Sequence, residues 1–470
     1  MEDDTDEEEL GMLLAAQQAA VATVLSPPRK KRKPIDHRCL PREEKKDYKH
    51  ERALACILED YLCPQPLFDG REFETMFRIS RGRFQCLMED FKKSENDFYS
   101  GAPDCFGHKV ASLQARLLLP LKCMAYGVPP HCFRDYFQMS KTLAKDCCNN
   151  FHETINKLYT DEYLRAPTAA DLKAITRLHK AVHGLPGMLG SLDCMHVYWD
   201  KCPVAWQGAF KNGAKKKASI VLEGMSDFHL FVWHEMFGFA GTLNDLNILN
   251  LSPLLDMILN GELEELEKLI PNFIIMNEIF KQLHMLVDGI HPLFSRFVKG
   301  YKEPIGELQT ALTKWQESAR KDIERAFGVL QAKFQCVARP IVLRNPKRIE
   351  AMVQATLVLH NMCVSERIMG NCHERYDPSR SLVRHKGADL NAEVPDDAEV
   401  PQDREDVQAK HSTRSRTAVT GFENADEEVV ELLQSRRRRW VELHDKTEAA
   451  RLHNAIMSHL VASNKKQKAT

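Results

Sequence analysis

Apolar residues recur at every third or fourth position through the first third of the chain, a spacing typical of helices with one buried face. Helices are predicted from this pattern at residues 48–61, 72–93, 112–126, 131–137 and 140–159. Gly127-Val128-Pro129-Pro130 stops the third, and Ser140 is suited to cap the last. A short helix, a turn and a longer helix have the outline of a helix-turn-helix, which an ordinary helical bundle would also show. We therefore predict an all-helical domain with a helix-turn-helix-like segment.

The pattern changes after Gly184-Leu185-Pro186-Gly187, where short β-rich runs replace the helical spacing. Strands are predicted at residues 188–199, 218–224, 229–236 and 284–287. Met225-Ser226-Asp227 is short enough to join the second and third strands as a hairpin. Helices are predicted at residues 245–260, 317–334 and 346–364. Strands interleaved with packing helices indicate an α/β fold with a mixed sheet.

These patterns divide the chain into five regions. Residues 1–36 carry blocks of like charge without periodicity, which predicts a disordered acidic tail. The helical domain follows at 37–183 and the α/β domain at 184–365. Residues 366–425 are charged, contain proline and have few apolar positions, as is typical of a linker. Residues 426–470 form a predicted C-terminal helical segment, able to dock on the body or on a partner.

The composition favours a globular protein inside the cell. Of 470 residues, 43% are hydrophobic and 28% are charged. No apolar run approaches the roughly 20 residues that span a bilayer, and the N-terminus is acidic where a secretory signal would be basic and then apolar. We expect no membrane association. The 14 cysteines include no Cys-x-x-Cys pair, so most are expected to be reduced core residues, and a zinc-structured DNA-binding module has little support.

A net charge of −1 conceals strong segregation of charge along the chain. The basic cluster Arg29, Lys30, Lys31, Arg32 and Lys33 is bracketed by prolines that keep it extended, and it has the composition of a nuclear-import sequence. We therefore expect a nuclear protein.

Two further basic clusters occur at Lys211, Lys215, Lys216 and Lys217 and at Arg436 to Arg439. The lysines precede a predicted strand and are candidates for DNA phosphate contacts, although solvated lysines at a sheet edge would give the same pattern. The arginines fit either a nucleic-acid contact or a second import signal.

Four acidic residues punctuate apolar segments of the α/β domain: Asp193, Asp245, Asp288 and Glu324. A carboxylate at the lip of a core is costly unless a cation or a hydrogen-bonding partner compensates it. Mg²⁺ and Mn²⁺ prefer such hard oxygen ligands, and a pair of these ions favours phosphodiester cleavage. Four converging carboxylates therefore indicate a metal-dependent nuclease. Each residue taken singly also fits a helix cap or a turn, and Asp245 does so most readily.

Several blocks occur in order along the chain: MAYGVPPHCFRDYFQMS, GMLGSLDCMHV, GFAGTLNDLNILNLSPLL, VDGIHPLFSRFVK and ERAFGVLQAKFQ. Together they resemble the PIF/Harbinger transposases and the Harbinger-derived nucleases of the DDE endonuclease superfamily, over roughly residues 70–365. The resemblance implies a ribonuclease H-like catalytic core with divalent metal held by acidic residues. It assigns catalysis to Asp193, Asp288 and Glu324 and makes Asp245 a further metal-binding aspartate. Asp245 and Asp288 are both candidates for the second member of the catalytic triad. The number of residues between Asp288 and Glu324 resembles the interval in related insertion-sequence transposases and favours Asp288.

We therefore expect a transposase that cuts double-stranded DNA at the ends of its element and joins the freed 3′ hydroxyl to target DNA, using Mg²⁺ or Mn²⁺. The resemblance also implies a Myb-like partner protein for end recognition, and a homo-oligomer fits the same reaction. The alternative is a domesticated nuclear DNA- or chromatin-binding protein that keeps the fold without nuclease activity. Retention of all four carboxylates favours the first interpretation.

Overall fold

Helices build the first part of the computed structural model, which describes residues 48–102, 110–213, 215–383 and 427–469. They are α1 (His50–Ile57), α2 (Gly70–Phe77), α3 (Arg81–Lys93), α4 (Leu113–Tyr126), α5 (Lys141–Tyr163) and α6 (Ala169–His183). A π-helical turn at Leu58–Leu62 extends α1. Within the described ranges, no helix is long and apolar enough to cross a membrane.

The predicted helix at 72–93 is two helices. Arg78 adopts a left-handed backbone with φ of 65° and ends α2. Ser80 then caps α3 by accepting a hydrogen bond from the next turn. The apolar periodicity runs across this break because Phe73, Phe77 and Phe84 from both helices pack in one aromatic cluster.

The first helix of the predicted helix-turn-helix does not form, so that prediction is wrong. Residues 131–137 contain one short 3₁₀ turn at Pro130–Cys132, followed by non-helical turns. Proline lacks an N–H, and so short a segment gains too few hydrogen bonds to offset helix nucleation. Phe137 is fully buried and anchors the segment instead. Ser140 does cap α5 as predicted, accepting from the Leu143 N–H at 3.1 Å.

The strands that follow the helical region are β1 (Met188–Tyr198), β2 (Ser219–Ser226), β3 (Val232–Ala240), β4 (Phe273–Ile275), β5 (Glu278–Phe280), β6 (His284–Leu286) and β7 (Phe297–Val298). They form a five-stranded sheet of order β3-β2-β1-β6-β7 and a separate hairpin of β4 and β5. The β1–β2 and β2–β3 pairs are antiparallel, whereas β1–β6 and β6–β7 are parallel. The mixed α/β fold is thus confirmed. The β2–β3 hairpin also forms, but its turn is 227–231, because Met225 and Ser226 continue β2.

Helices accompany the sheet: α7 (Gln207–Phe210), α8 (Asp245–Leu251), α9 (Pro253–Asn260), α10 (Glu262–Glu267), α11 (Gly306–Lys333), α12 (Gln335–Ala338) and α13 (Pro346–Met369). The predicted helix at 245–260 is divided where Ser252 caps α9. The long helix α11 begins at Gly306, well before the predicted start at 317. The chain also stays packed on the body beyond residue 365, because α13 continues to Met369 and Tyr376 stacks on Phe231 with ring centroids 4.2 Å apart.

Close packing between α11 and the sheet depends on Gly224. This residue pairs with Asp193 across β1 and β2, and a Cβ added there would lie 3.1 Å from the ring of Phe327 on α11. That distance is tighter than most Cβ contacts, so the ring of Phe327 would have to shift by a few tenths of an ångström. The missing side chain therefore lets α11 approach the strands beside Asp193.

Two C-terminal helices, α14 (Glu427–Leu443) and α15 (Lys446–Ala469), dock on the body. From α15, Leu452, Ile456 and Leu460 are buried in a cluster that includes Leu312 of α11. Ion pairs connect Arg436 to Asp256 at 2.8 Å and Arg439 to Glu264 at 3.1 Å. These two arginines therefore hold a helix in place, a role that the sequence interpretation did not include.

His179 fastens α6 to the start of the sheet in its neutral form. Its Nδ1–H donates to the Met188 carbonyl oxygen at 2.9 Å, and its Nε2 accepts from the Phe228 N–H at 3.2 Å. Protonation would place a second proton where Phe228 donates. Burial lowers the pKa of His179 to about 3.

We predict that His179 makes the protein less stable in mild acid. Its folded pKa lies below the unfolded value of about 6.5, so its contribution is complete above that pH and is lost as the pH falls towards the folded value. A proton taken up on unfolding changes the free energy of unfolding by about 1.4 kcal/mol per pH unit. Tm measured between pH 7 and pH 5 should fall more steeply for the wild type than for His179→Gln, which can donate and accept without titrating. Exposed His131→Gln is the control, and equal slopes in the wild type and His179→Gln would contradict the prediction.

Candidate metal centre

One arginine joins two of the predicted carboxylates. Asp193 lies on β1, while Arg320 and Glu324 lie one turn apart on α11. Arg320 Nη1 donates to Asp193 Oδ2 at 3.0 Å, and its Nη2 lies 2.8 Å from Glu324 Oε1. The side chain of Asp193 is 21% exposed and that of Glu324 is 46% exposed. The pair therefore opens to solvent on the Glu324 side.

Asp193 has partners that favour its charged form and surroundings that favour its neutral form. Burial raises its pKa above the usual value, and the nearby carboxylates of Asp245 and Glu324 raise it further. The Cys194 N–H, which donates to Asp193 Oδ1 at 2.9 Å, and the guanidinium of Arg320 act in the opposite direction. Asp193 is thus a carboxylate that a nearby cation stabilises in its charged form.

Asp245 approaches the same strand from α8. Asn244 caps that helix by accepting from the Asn247 N–H at 2.9 Å, which places Asp245 in the first turn. Burial is the main reason that the pKa values of Asp193 and Cys194 are raised, and the charge of Asp245 raises both further. A carboxylate in a first helical turn is also favoured by the helix dipole. Asp245 therefore fits both the cap and the metal-ligand interpretations.

Asp288 follows β6, the parallel neighbour of β1. Ser191 and Leu286 are the last residues paired between these strands, and Asp193 and Asp288 each lie two positions further along. Parallel registration therefore directs both aspartates towards the same end of the sheet. Burial lowers the pKa of nearby His291, whereas Asp245 and Asp288 both oppose that shift.

The charges of Asp245 and Glu324 both reach Asp193, which is the kind of oxygen-rich surrounding that a hard divalent cation prefers. Among the residues that the structure describes, no three of the four candidate carboxylates place oxygen atoms within 4.8 Å of one another. The guanidinium of Arg320 instead compensates Asp193 and Glu324. A divalent cation would supply the same compensation, so the residues fit the metal chemically, with Arg320 as its competitor.

Comparison with known proteins places this region in a family. Residues 161–369 match the family model described as plant transposon protein. That family belongs to the PIF/Harbinger-like group of transposase-related proteins. No curated protein and no solved structure matches the chain. All four candidate carboxylates lie within the matched, transposase-related segment.

Sequence reasoning missed a buried acid of the transposase-related segment, Glu223. It lies on β2 opposite Cys194, is 1% exposed, and its Oε2 lies 2.9 Å from His234 Nε2. Ser252 also donates to this oxygen. The signal was present, because Glu223 is the one acid in the otherwise uncharged strand SIVLEGMS. Its partners account for its burial, which makes it a support of the site rather than an open ligand position.

The predicted DNA-binding lysines lie on a tight loop between α7 and β2. Lys211, Lys215, Lys216 and Lys217 are all exposed. The Asn212 N–H donates to the Lys217 carbonyl oxygen at 2.8 Å and closes the loop. Lys215 Nζ lies 5.2 Å from the ring centroid of Tyr198, at the end of β1. Burial lowers the pKa of His196, the charge of Asp245 opposes this shift, and the charge of Lys215 adds to it. The loop therefore lies on the Asp245 side of the site.

The import-like cluster from Arg29 to Lys33 lies outside the described residues.

We predict that Arg320 stabilises the protein by compensating Asp193. In metal-free buffer, Arg320→Met leaves a partly buried carboxylate without a cation, and we expect the free energy of unfolding to fall by about 1–3 kcal/mol. Adding Asp193→Asn should recover most of this loss, because a neutral amide needs no counter-charge. Chemical denaturation of the two single variants and the double variant measures the coupling. Lys321→Met, an exposed change on the same helix, is the control, and an Arg320→Met variant as stable as this control would refute the role.

Proposed function

We propose that the protein is a metal-dependent DDE endonuclease or transposase that cuts and joins phosphodiester bonds of double-stranded DNA. The observation that carries this proposal is the placement of Arg320 between Asp193 and Glu324. It means that carboxylates from β1 and α11 lie within reach of one cationic group. The transposase-related family of residues 161–369 supports the same class of reaction.

The proposed catalytic carboxylates are Asp193, Asp288 and Glu324, and Asp245 joins them as a ligand of Mg²⁺ or Mn²⁺. These cations favour carboxylate oxygens and leave positions for water and phosphate. When bound, such a cation supplies charge stabilisation for phosphodiester cleavage. The Cys194 N–H holds Asp193 Oδ1, so Oδ2 is the oxygen directed towards Arg320 and the candidate cation position.

In this proposal Arg320 changes partners during the reaction. With Asp193 Oδ2 held by a bound cation, the guanidinium of Arg320 would be available to pair with a DNA phosphate, a contact that arginine makes with two parallel hydrogen bonds. Attack by water forms a new P–O bond while the bond from phosphorus to the 3′ oxygen breaks. That oxygen leaves with a proton from the attacking water as the 3′ hydroxyl. In the joining step this hydroxyl attacks a phosphate of the target DNA, and the target's own bond from phosphorus to its 3′ oxygen breaks, so that the proton passes to the released target 3′ hydroxyl.

The wider assignments follow from the family. The order and directions of the five strands are compatible with the ribonuclease H-like core that the resemblance implies. The lysine loop would hold the DNA backbone without reading sequence. We propose a nuclear location, a Myb-like partner for recognition of transposon ends, and a homo-oligomer that holds two ends together.

A second candidate is a domesticated DNA- or chromatin-binding protein without nuclease activity. Two observations favour it: Arg320 already compensates Asp193 and Glu324, and the described carboxylates do not converge as closely as three ligands of one ion would. In such a protein the Arg320 ion pair would be a permanent part of the fold.

Nicking of supercoiled plasmid tests the proposed activity, because one cut anywhere is detected and end recognition is unnecessary. We expect nicking with Mg²⁺ or Mn²⁺ and none with EDTA. Asp193→Asn and Glu324→Gln should each lower the rate by about a hundredfold or more, the scale on which removal of a charge-stabilising group acts.

The matched control is Glu317→Gln, an exposed carboxylate elsewhere on α11, which should cut at the wild-type rate. Asp245→Asn and Asp288→Asn identify the second catalytic aspartate by the larger loss. Absence of metal-dependent nicking, or equal rates in the wild type and Asp193→Asn, would favour the binding protein.

The lysine loop is tested by the salt dependence of DNA affinity. Each phosphate contact contributes a slope of about 0.9 to the plot of log affinity against log salt. Lys216→Gln with Lys217→Gln should therefore lower the slope by up to about 1.8. The control is Lys302→Gln with Lys314→Gln, two exposed lysines outside the loop. Identical slopes for the two double variants would exclude a role for the loop.

A further inference from the structure

A second group of metal-ligand side chains lies where α3 meets the segment that follows α13. Cys86 Sγ lies 3.3 Å from Cys372 Sγ and 4.0 Å from His373 Nδ1. All three ligand atoms lie within 4.8 Å of one another, which no other group of three or more His, Cys, Asp and Glu residues achieves in the described part of the chain. Cys86 and Cys372 are both free thiols.

Local structure holds Cys372 and His373 in this position. Gly370 ends α13 with φ of 85° and turns the chain. Asn371 Oδ1 then accepts from the His373 N–H at 2.9 Å and from the Glu374 N–H at 3.0 Å. Beyond the turn, Tyr376 is buried and donates to Asp227 Oδ2 at 2.8 Å. The two ligands are therefore anchored on both sides, which argues against a chance approach of a loose segment.

The spacing of the three atoms fits one zinc ion. Sulfur at about 2.3 Å and nitrogen at about 2.0 Å from a tetrahedral zinc are separated by roughly 3.5 to 3.8 Å. The observed distance between the two Sγ atoms, 3.3 Å, lies below this range, and the observed distance from Cys86 Sγ to His373 Nδ1, 4.0 Å, lies above it. Two thiols and an imidazole select zinc over Mg²⁺ or Mn²⁺, which prefer oxygen. His373 is exposed, so the fourth position faces water.

We propose that Cys86, Cys372 and His373 form a zinc site that ties the end of α13 to α3. The ligands come from positions 286 and 287 residues apart in sequence, so the site closes a very long loop. Helix α13 also carries Asn361, which donates to the carbonyl oxygens of Tyr163 and Val232 at 2.7 and 2.8 Å. A fixed α13 therefore keeps the helical region and β3 together. The carboxylate site plays no part in this inference.

Zinc titration of the full chain under reducing conditions tests the site. We expect about one zinc ion to bind per chain. When Co²⁺ replaces zinc, we expect an absorption band from charge transfer between the cysteine thiolates and cobalt. Cys86→Ser and Cys372→Ser should each weaken zinc binding by more than the roughly 10- to 100-fold that loss of an outer-shell group costs. Exposed His373→Asn should weaken binding without disturbing the fold. Hydrogen exchange in residues 371–377 should slow when zinc binds the wild type.

Two controls separate this site from others. Cys132→Ser, an exposed cysteine outside the group, and Asp193→Asn with Glu324→Gln at the carboxylates should bind zinc like the wild type. Three results would overturn the proposal: no zinc bound by reduced wild-type protein, full affinity in both Cys86→Ser and His373→Asn, or a Cys86–Cys372 disulfide in place of zinc after purification under reducing conditions. Loss of zinc in the carboxylate variant alone would assign the ion to the other site.

Discussion

The organisation of the site depends on one partly buried carboxylate on the middle strand of the sheet. Asp193 pairs with Gly224 of β2 on one side and lies two residues beyond the last pair with β6 on the other, so a compensating cation must reach it from a helix or from the strand ends. Helix α11 supplies Arg320, and the glycine at position 224 leaves room for that helix to lie close. Compensation of the Asp193 carboxylate thus requires α11 to pack closely on the sheet, and the same helix carries Glu324.

Whether Arg320 or a metal ion compensates these carboxylates distinguishes the binding protein from the nuclease. A guanidinium and a divalent cation that compensate the same oxygens compete for them, so Arg320 can be either a permanent structural partner or a placeholder that a metal displaces. Asp245 bears on this choice, because it adds negative charge at Asp193 that one arginine does not neutralise. Glu223 is different, since His234 and Ser252 satisfy it inside the protein.

Sequence periodicity predicted the mixed sheet and the helix that carries Glu324, because alternating and helical patterns are local properties. It failed where side-chain anchors override periodicity, as at 131–137, and where caps divide a helix, as at Ser80 and Ser252. The four acids were singled out because acids in apolar segments are conspicuous, and the structure joins two of them, Asp193 and Glu324, through Arg320. The pairing of Arg320 with Asp193 and the approach of Cys86 to Cys372 were not found, since no local pattern records contacts between distant residues.

Anomalous scattering from crystals containing Mn²⁺ tests the central claim most directly, because it locates the ion without relying on activity. The account predicts a peak bounded by Asp193 and Glu324, with at least one of Asp245 and Asp288 as a further ligand and the Arg320 guanidinium moved away from Asp193. Arg320 still bound to both carboxylates at saturating Mn²⁺, with no peak between them, would contradict it.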